Sequence, residues 1–336
     1  MKTARWLLVF GLVSLLILAS VYGVLRQQYQ EFLQQPLDIH ADGQLVNVEP
    51  GMSGRAVVMS LGELGISEWS WQWRLLMRLQ PAQLKAGEYR LEAGLTPVTL
   101  LEKLARGEVV QYRFTIVEGW TFAQMISALQ ADPMLGVELE PAQSLAELGA
   151  EIAGVENPEG LFLPETYLFA RGYTAADLLQ RAHQDLQLVL QDAWEMRPAG
   201  HPVETPYELL VLASIIERET AIESERGEIS GVFVRRLLKG MRLQTDPTVI
   251  YGLGESFDGD IRRKDLQADT PYNTYTRHGL PPTPIALPGR ASIMAAALPE
   301  EGTSLYFVAN GQGGHTFSDT FEEHQKAVNI MLGRKP

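Results

Sequence analysis

The segment "TPYELLVLASIIERETAIESER", beginning at Thr205, carries an apolar run that ends in two glutamates two positions apart, Glu217 and Glu219. A carboxyl at the end of such a run keeps its proton to higher pH when surrounding hydrocarbon strips water from its charged form. A general acid working near neutral pH needs that property. Thr205, Pro206 and Glu208 have the spacing of a capping box with proline at the first helical position, which predicts a helix from this point. Leu212, Ile215 and Ile216 lie seven, four and three positions before Glu219, on its side of that helix. Glu217 projects to nearly the opposite side, over Leu210, Ala213 and Ser214. Position therefore favours Glu219. The stretch "ERETAIESER" nevertheless alternates in sign as solvated helical surface does, so spacing alone leaves a surface ion-paired role open for both glutamates.

Other polar groups must surround a reacting carboxyl, and three segments offer them. "LQTDPTVIYG" supplies Gln244, Thr245, Asp246 and Thr248 as candidate cleft residues, although Asp-Pro is also a common turn starter. "PYNTY" supplies Tyr272, Asn273 and Tyr275 in a proline-bounded loop, and an amide such as Asn273 pairs with both carbonyl and N–H groups. His315, in "GGHTFSDTFEEH", raises a metal reading with Asp319 and His324. A His-Glu-x-x-His pair is absent and the 6 histidines are scattered, so no metal is expected and His315 is retained as a cleft residue. Glu159 and Glu165 in "NPEGLFLPETYLF" are fallback carboxylates.

The elements that carry these groups belong to a chain of 336 residues, enough for two or three domains. Hydrophobic content of 46% and charged content of 21% are those of an ordinary globular protein. A net charge of −13 leaves no basic surplus for a phosphate backbone, so nucleic acid is not an expected partner. Cysteine is absent, which excludes disulfides, thiol nucleophiles, cysteine zinc sites and a lipoprotein anchor. "WLLVFGLVSLLILASVYGVL", residues 6–25, is uncharged and long enough to span a hydrocarbon core. Lys2 and Arg5 precede it, so residues 1–5 are expected in the cytoplasm and the remainder across the inner (cytoplasmic) membrane, in the periplasm. A signal-peptide cleavage pattern is poor in "LASVYG", which favours a retained single-pass anchor.

Residues 26–42 read as a polar linker. A repeat follows: Gly51-x-Ser53, Gly94-x-Thr96 and Gly119-x-Thr121 each precede a leucine eight positions on, at Leu61, Leu104 and Leu129. Alternating runs "LVNVEP", "EYRLEA" and "YRFTIVE" come before them, so three strand–turn–capped-helix units are expected over residues 43–130. Residues 131–204 look helical with interruptions, Thr174 capping a long amphipathic helix. Helix continues from 205 to a C-terminal glycine at Gly240, and "LYFVA" is an apolar strand. The expected fold class is α+β.

The stretches "ASIIERET", "GVFVRRL", "GMRLQTDPTVIYGLG", "TPYNTYTRHGLPPTPIALPG" and "LYFVANGQGGHTF" together resemble the YceG-like family, the endolytic murein transglycosylases called MltG. The repeat units resemble LysM, a small module that binds the N-acetylglucosamine sugars of cell walls. The resemblance implies a membrane anchor, a LysM-like region over 43–130 and a mainly helical, lysozyme-like catalytic domain over 131–336. It implies cleavage of peptidoglycan glycan strands by an enzyme without a cofactor, in association with cell-wall synthases. In lysozyme-like transglycosylases the catalytic glutamate closes an apolar helix and is followed by Ser or Thr, as Glu219 is by Thr220. The resemblance further implies that Glu219 acts as acid and then base and that the product is a 1,6-anhydromuramyl end; for such a site Tyr275 is the choice for orienting or stabilising the reacting sugar, with Asn273 next. A non-catalytic wall-binding scaffold is one alternative. A hydrolase is another, needing a second carboxylate, for which Asp246, Glu223 and Glu225 are candidates.

Overall fold

The computed structural model describes residues 2–136 and 144–334, so the part of the interrupted helical stretch at 137–143 lies outside the described residues. The chain divides into two compact units, Met1–Tyr112 with Phe169–Gly172, and Arg113–Leu168 with Tyr173–Pro336.

In the first unit α1 (Lys2–Gln34) leads to β1 (Gln44–Val48), α2 (Gly54–Glu63), α3 (Trp71–Leu79), β2 (Gly87–Leu91) and α4 (Pro97–Arg106). β1 and β2 pair antiparallel, Val46 opposite Tyr89. Ser53 and Thr96 sit at the helix starts as expected, their hydroxyls accepting from the N–H of Ala56 and Thr99. Leu61 and Leu104, eight positions further on, are buried in one core with Trp73, Leu76, Tyr89 and Leu100.

α1 from Leu8 is apolar enough to cross a membrane and has none of its hydropathic window buried in the protein. It does not give way to a linker after residue 25. The helix runs on to Gln34, and Tyr29, Phe32 and Leu33 pack on the first unit's core. Their spacing of three and four keeps them on one face. Phe32 meets Trp73 edge-on at 5.3 Å between ring centres, and Tyr29 meets Trp71 at 6.2 Å. These aromatic partners lie some forty positions away, which is why the continuation looked like a polar linker.

The second unit opens with the third copy of the repeat. β3 (Tyr112–Thr115) pairs with β4 (Thr166–Phe169), and Thr121 caps α5 (Phe122–Ala131), burying Leu129. α6 (Leu145–Ala153) follows, and Thr174 caps α7 (Ala175–Met196). α8 (Pro206–Glu219) and α9 (Glu223–Leu238) come next, with Gly240 in the left-handed conformation after α9 at φ 63°. α10 (Asp246–Leu253), α11 (Arg263–Gln267) and α12 (Arg290–Ala297) are joined by long loops. The antiparallel pair β5 (Tyr306–Ala309) and β6 (His315–Ser318) and then α13 (Phe321–Met331) complete the unit.

The start of α8 departs from the expected capping box. Thr205 accepts from the Glu208 N–H at 3.1 Å, but the Glu208 carboxylate reaches past it and accepts from the Glu204 N–H at 2.6 Å.

The core of the first unit rests on the aromatic stack around Trp73. Trp73→Ala is expected to lower that unit's stability by about 3–5 kcal/mol, while Leu79→Ala, at an exposed position, should change it by less than about 0.5 kcal/mol. Hydrogen exchange of the β1 and β2 amides under denaturant reads this unit separately from the rest.

Candidate active site

α8 is buried on all sides from Leu209 to Ile216 and packs against α7, α9, α10 and α12. Past this buried stretch, exposure returns only in the last turn. There the chain reverses. The Thr220 N–H donates to the Ile216 carbonyl, the Thr220 hydroxyl accepts from the Ile222 N–H at 2.9 Å, and α9 starts at Glu223. Glu219 is thereby held at the end of a greasy helix with one side open to a cleft of about 510 Å³.

Of the residues singled out in the sequence, Glu219, Gln244, Asp246, Tyr275 and His315 line this cleft together. The Thr245 hydroxyl donates to Glu219 Oε1. Thr245 is aimed there by an unusual turn: Gln244 before it has φ 51°, the one positive value outside glycine among the described residues. Such backbone is uncommon for a side-chain-bearing residue. The turn is clamped to the tyrosine-rich loop, since the Thr245 N–H donates to Thr274 Oγ1 at 3.1 Å and the Gln244 N–H to the Thr274 carbonyl at 3.2 Å.

Burial pushes the Glu219 carboxyl up to about 7 from 4.5. The Thr245 hydrogen bond pulls it down, Asp246 raises it, and His315 and Arg236 lower it. A carboxylic acid that is half protonated near neutrality can both give and take a proton in one reaction cycle. Tyr275 donates its hydroxyl to Asp246 Oδ1 at 2.6 Å, and burial followed by this carboxylate raises the phenol's pKa, so the ring stays neutral. His315 is fixed by Glu225, which accepts from its backbone N–H at 2.9 Å and meets Nδ1 at 2.7 Å.

Four sequence-nominated residues do not face the cleft. Asn273 is buried; its amide N–H groups go to the carbonyls of Asp265, Leu266 and Ala268, and its carbonyl accepts from the Tyr275 N–H at 2.8 Å. Its polar atoms are used up in shaping the loop that presents Tyr275. Tyr272 turns the other way, sharing a hydrogen bond with Thr283 at 2.9 Å and packing on Tyr251. Thr248 is buried on Thr245 and Thr274, and Thr220 serves the α8–α9 turn. The structure thus places all four behind or beside the cleft, where their polar groups meet the protein itself.

Glu217 is likewise settled by its partners. It accepts from the Gly289 N–H at 3.0 Å and from the Ser292 hydroxyl at 2.7 Å, so it caps the start of α12. Burial and then the neighbouring Glu217 charge raise the pKa of Glu118, which lies so close to Gly289 that a Cβ there would come within 1.8 Å of its oxygen. Glu159, one of the fallback carboxylates, is buried away from the cleft, accepting from the Phe122 N–H at 2.9 Å and the Tyr251 hydroxyl at 3.2 Å. Glu165 accepts from the Thr166 N–H.

Sequence reasoning missed Arg236 and most of the far wall. Arg236 is buried, donating to the carbonyls of Leu305 and Leu243 at 2.6 Å each, with its guanidinium 5.1 Å from the Tyr306 ring. An arginine inside "GVFVRRL" was the available signal. Tyr306, Phe321 and His324 form an aromatic face over the cleft, His324 stacked on Tyr306 at 5.2 Å. α13, which contributes Phe321 and His324, has no buried residue and packs on β5 and β6.

Because Glu219 holds its proton more tightly in the folded chain than in the unfolded one, it contributes stability below pH 4.5 that is lost as pH rises through about 7. Glu219→Gln removes that loss. At about pH 8 the variant should unfold up to about 3 kcal/mol less readily than the native chain, with the difference vanishing near about pH 4, by thermal denaturation at both values. Glu217→Gln should instead cost about 1–2 kcal/mol at all pH values through the weakened α12 cap, while leaving the pH dependence of activity in place.

The profile of the YceG-like family matches residues 46–330. A protein of Bacillus subtilis called endolytic murein transglycosylase is 29% identical over 86% of this chain and 85% of its own length. One of the same name from Streptococcus pneumoniae is 26% identical over 97% of this chain, which spans 65% of that longer protein. The crystal structure of a yceG-like protein from Listeria monocytogenes superposes with a TM-score of 0.54 at 29% identity, covering 85% of this chain and 99% of that one. With its profile match running through both units and the α8–α9 cleft, the chain belongs to the YceG-like family.

Proposed function

We propose that the protein is an endolytic peptidoglycan lytic transglycosylase, and that Glu219 is its acid and base. The observation that carries the reading is the Glu219 carboxyl itself, raised to about 7 by burial and open on one side to a cleft large enough for sugar rings. Glu219 protonates the glycosidic oxygen between N-acetylmuramic acid and N-acetylglucosamine as that bond breaks. The carboxylate so formed takes the proton from the C6 hydroxyl of the same muramyl residue, whose oxygen closes on the anomeric carbon. The proton count balances within one carboxyl, and the product is a 1,6-anhydromuramyl end.

Tyr275, tied to Asp246, orients the reacting sugar, and Gln244 and His315 bound the same space. The aromatic face of Tyr306 and His324 offers an apolar wall for a sugar ring. The apolar α1 supports a single-pass anchor in the cytoplasmic membrane with residues 1–5 inside and a lysozyme-like catalytic region outside. The capped strand–helix units of residues 43–130 are proposed as LysM-like glycan contacts, and cell-wall synthases as neighbours. Asp246 in the same cleft favours one competing reading, a hydrolase with a second carboxylate.

The full chain in detergent or bilayer discs, given peptidoglycan, should release fragments whose muramyl ends lack the elements of water by mass spectrometry. Glu219→Gln should lower the rate by at least about 10²-fold. Ends that have gained water would replace the lyase by the hydrolase, and an undiminished Glu219→Gln would remove the assignment.

A further inference from the structure

We propose that the first turn of α3, through Trp71 and Arg74, lies in the phospholipid headgroup layer of the same bilayer that α1 crosses. The inference rests on the anchor reading of α1 and goes beyond it, because it places a surface of the first unit on lipid.

Three observations within the first unit converge. The uncharged run ends at Leu25, and α1 continues as unbroken helix to Gln34. Tyr29 lies four positions beyond Leu25, a rise of about 6 Å. The headgroup layer on each side of a hydrocarbon core is about 5–8 Å deep. If Leu25 marks the edge of the hydrocarbon, Tyr29 stands at headgroup level. Trp71 is held at that level, its ring 6.2 Å from Tyr29. Trp73 meets Phe32 further along, so the start of α3 is the end nearer the membrane.

The chemistry of the exposed face matches that level. Trp71 remains 40% exposed although it stacks on Tyr29. Arg74 and Arg78 follow it at intervals of three and four on the same face, both exposed, and α3 contains no acidic residue. Arg26 leaves α1 just below, and Arg55 stands 5.8 Å from the Trp69 ring. Tryptophan prefers the membrane–water interface, where its ring is half apolar and its N–H is wet. Arginine stems lie along apolar surface while their heads reach phosphate. In a chain of net charge −13, a tryptophan with exposed arginines on its own helix face, beside a spanning helix, fits anionic and zwitterionic headgroups.

The absence of cysteine makes the test direct. Single-cysteine versions of the full chain carry a spin label at Trp71→Cys, Arg74→Cys, Leu16→Cys and Leu79→Cys, in bilayer discs of phosphatidylethanolamine and phosphatidylglycerol. A nickel chelate on lipid headgroups should relax the labels at 71 and 74 several-fold more than the label at Leu79, an exposed position at the far end of α3. Arg74→Cys keeps Trp71 and serves if Trp71→Cys folds poorly. Equal relaxation at 74 and 79 overturns the proposal. The label at Leu16 separates the two readings: if it is shielded from the chelate and open to oxygen, the anchor stands even where the headgroup contact fails.

Discussion

The structure depends on one costly arrangement, a carboxyl at the end of a helix that is otherwise enclosed in hydrocarbon. α8 can be apolar on every side only because α7, α9, α10 and α12 surround it. The same enclosure strips water from Glu219 and lifts its pKa into the range where a proton moves both ways. Neighbouring groups trim this effect. Thr245 donates to the carboxyl from a strained turn, and that turn is pinned by Thr274. Asn273 holds the loop from which Tyr275 projects. Polar residues with no access to the cleft therefore shape the polar residues within it.

The two glutamates of α8 show how two positions on a helix divide their work. Glu219 faces the open side. Glu217, turned nearly opposite, accepts from the Gly289 N–H and the Ser292 hydroxyl at the start of α12 and is consumed as a cap. A side-chain oxygen at a helix start takes up donors that have no partner within the helix. One face of α8 thus serves a neighbouring helix and the other faces the cleft.

How much of this was readable in the sequence follows from the range of the interactions. The helix caps at Ser53, Thr96, Thr121 and Thr174 were readable because their partners lie three residues away. The opposite directions of Glu219 and Glu217 were readable from helical geometry within one segment. The inward roles of Asn273, Tyr272 and Thr248 were not, because an amide or hydroxyl in a loop gives no sign of which backbone will meet it. Nor was the continuation of α1, whose Phe32 owes its burial to Trp73. Arg236 was hidden by its charge, which reads as surface until the carbonyls of Leu305 and Leu243 are placed around it.

The far wall of the cleft is built differently from the near one. α8 is locked in by packing, whereas β5, β6 and α13 join α9 through a ring contact, Phe233 on Phe307 at 5.7 Å, and through polar clamps: Arg235 on the Ser304 carbonyl at 2.8 Å, Arg236 on Leu305 at 2.6 Å, and Glu225 on the His315 backbone. Hydrogen bonds of this kind hold direction yet yield at small cost beside interdigitated side chains. A cable anchored at both ends cannot be fed through a hole. It has to be laid into a slot from the side, and a jaw hung on a few directional pins, opposite a fixed anvil, is a construction that admits one.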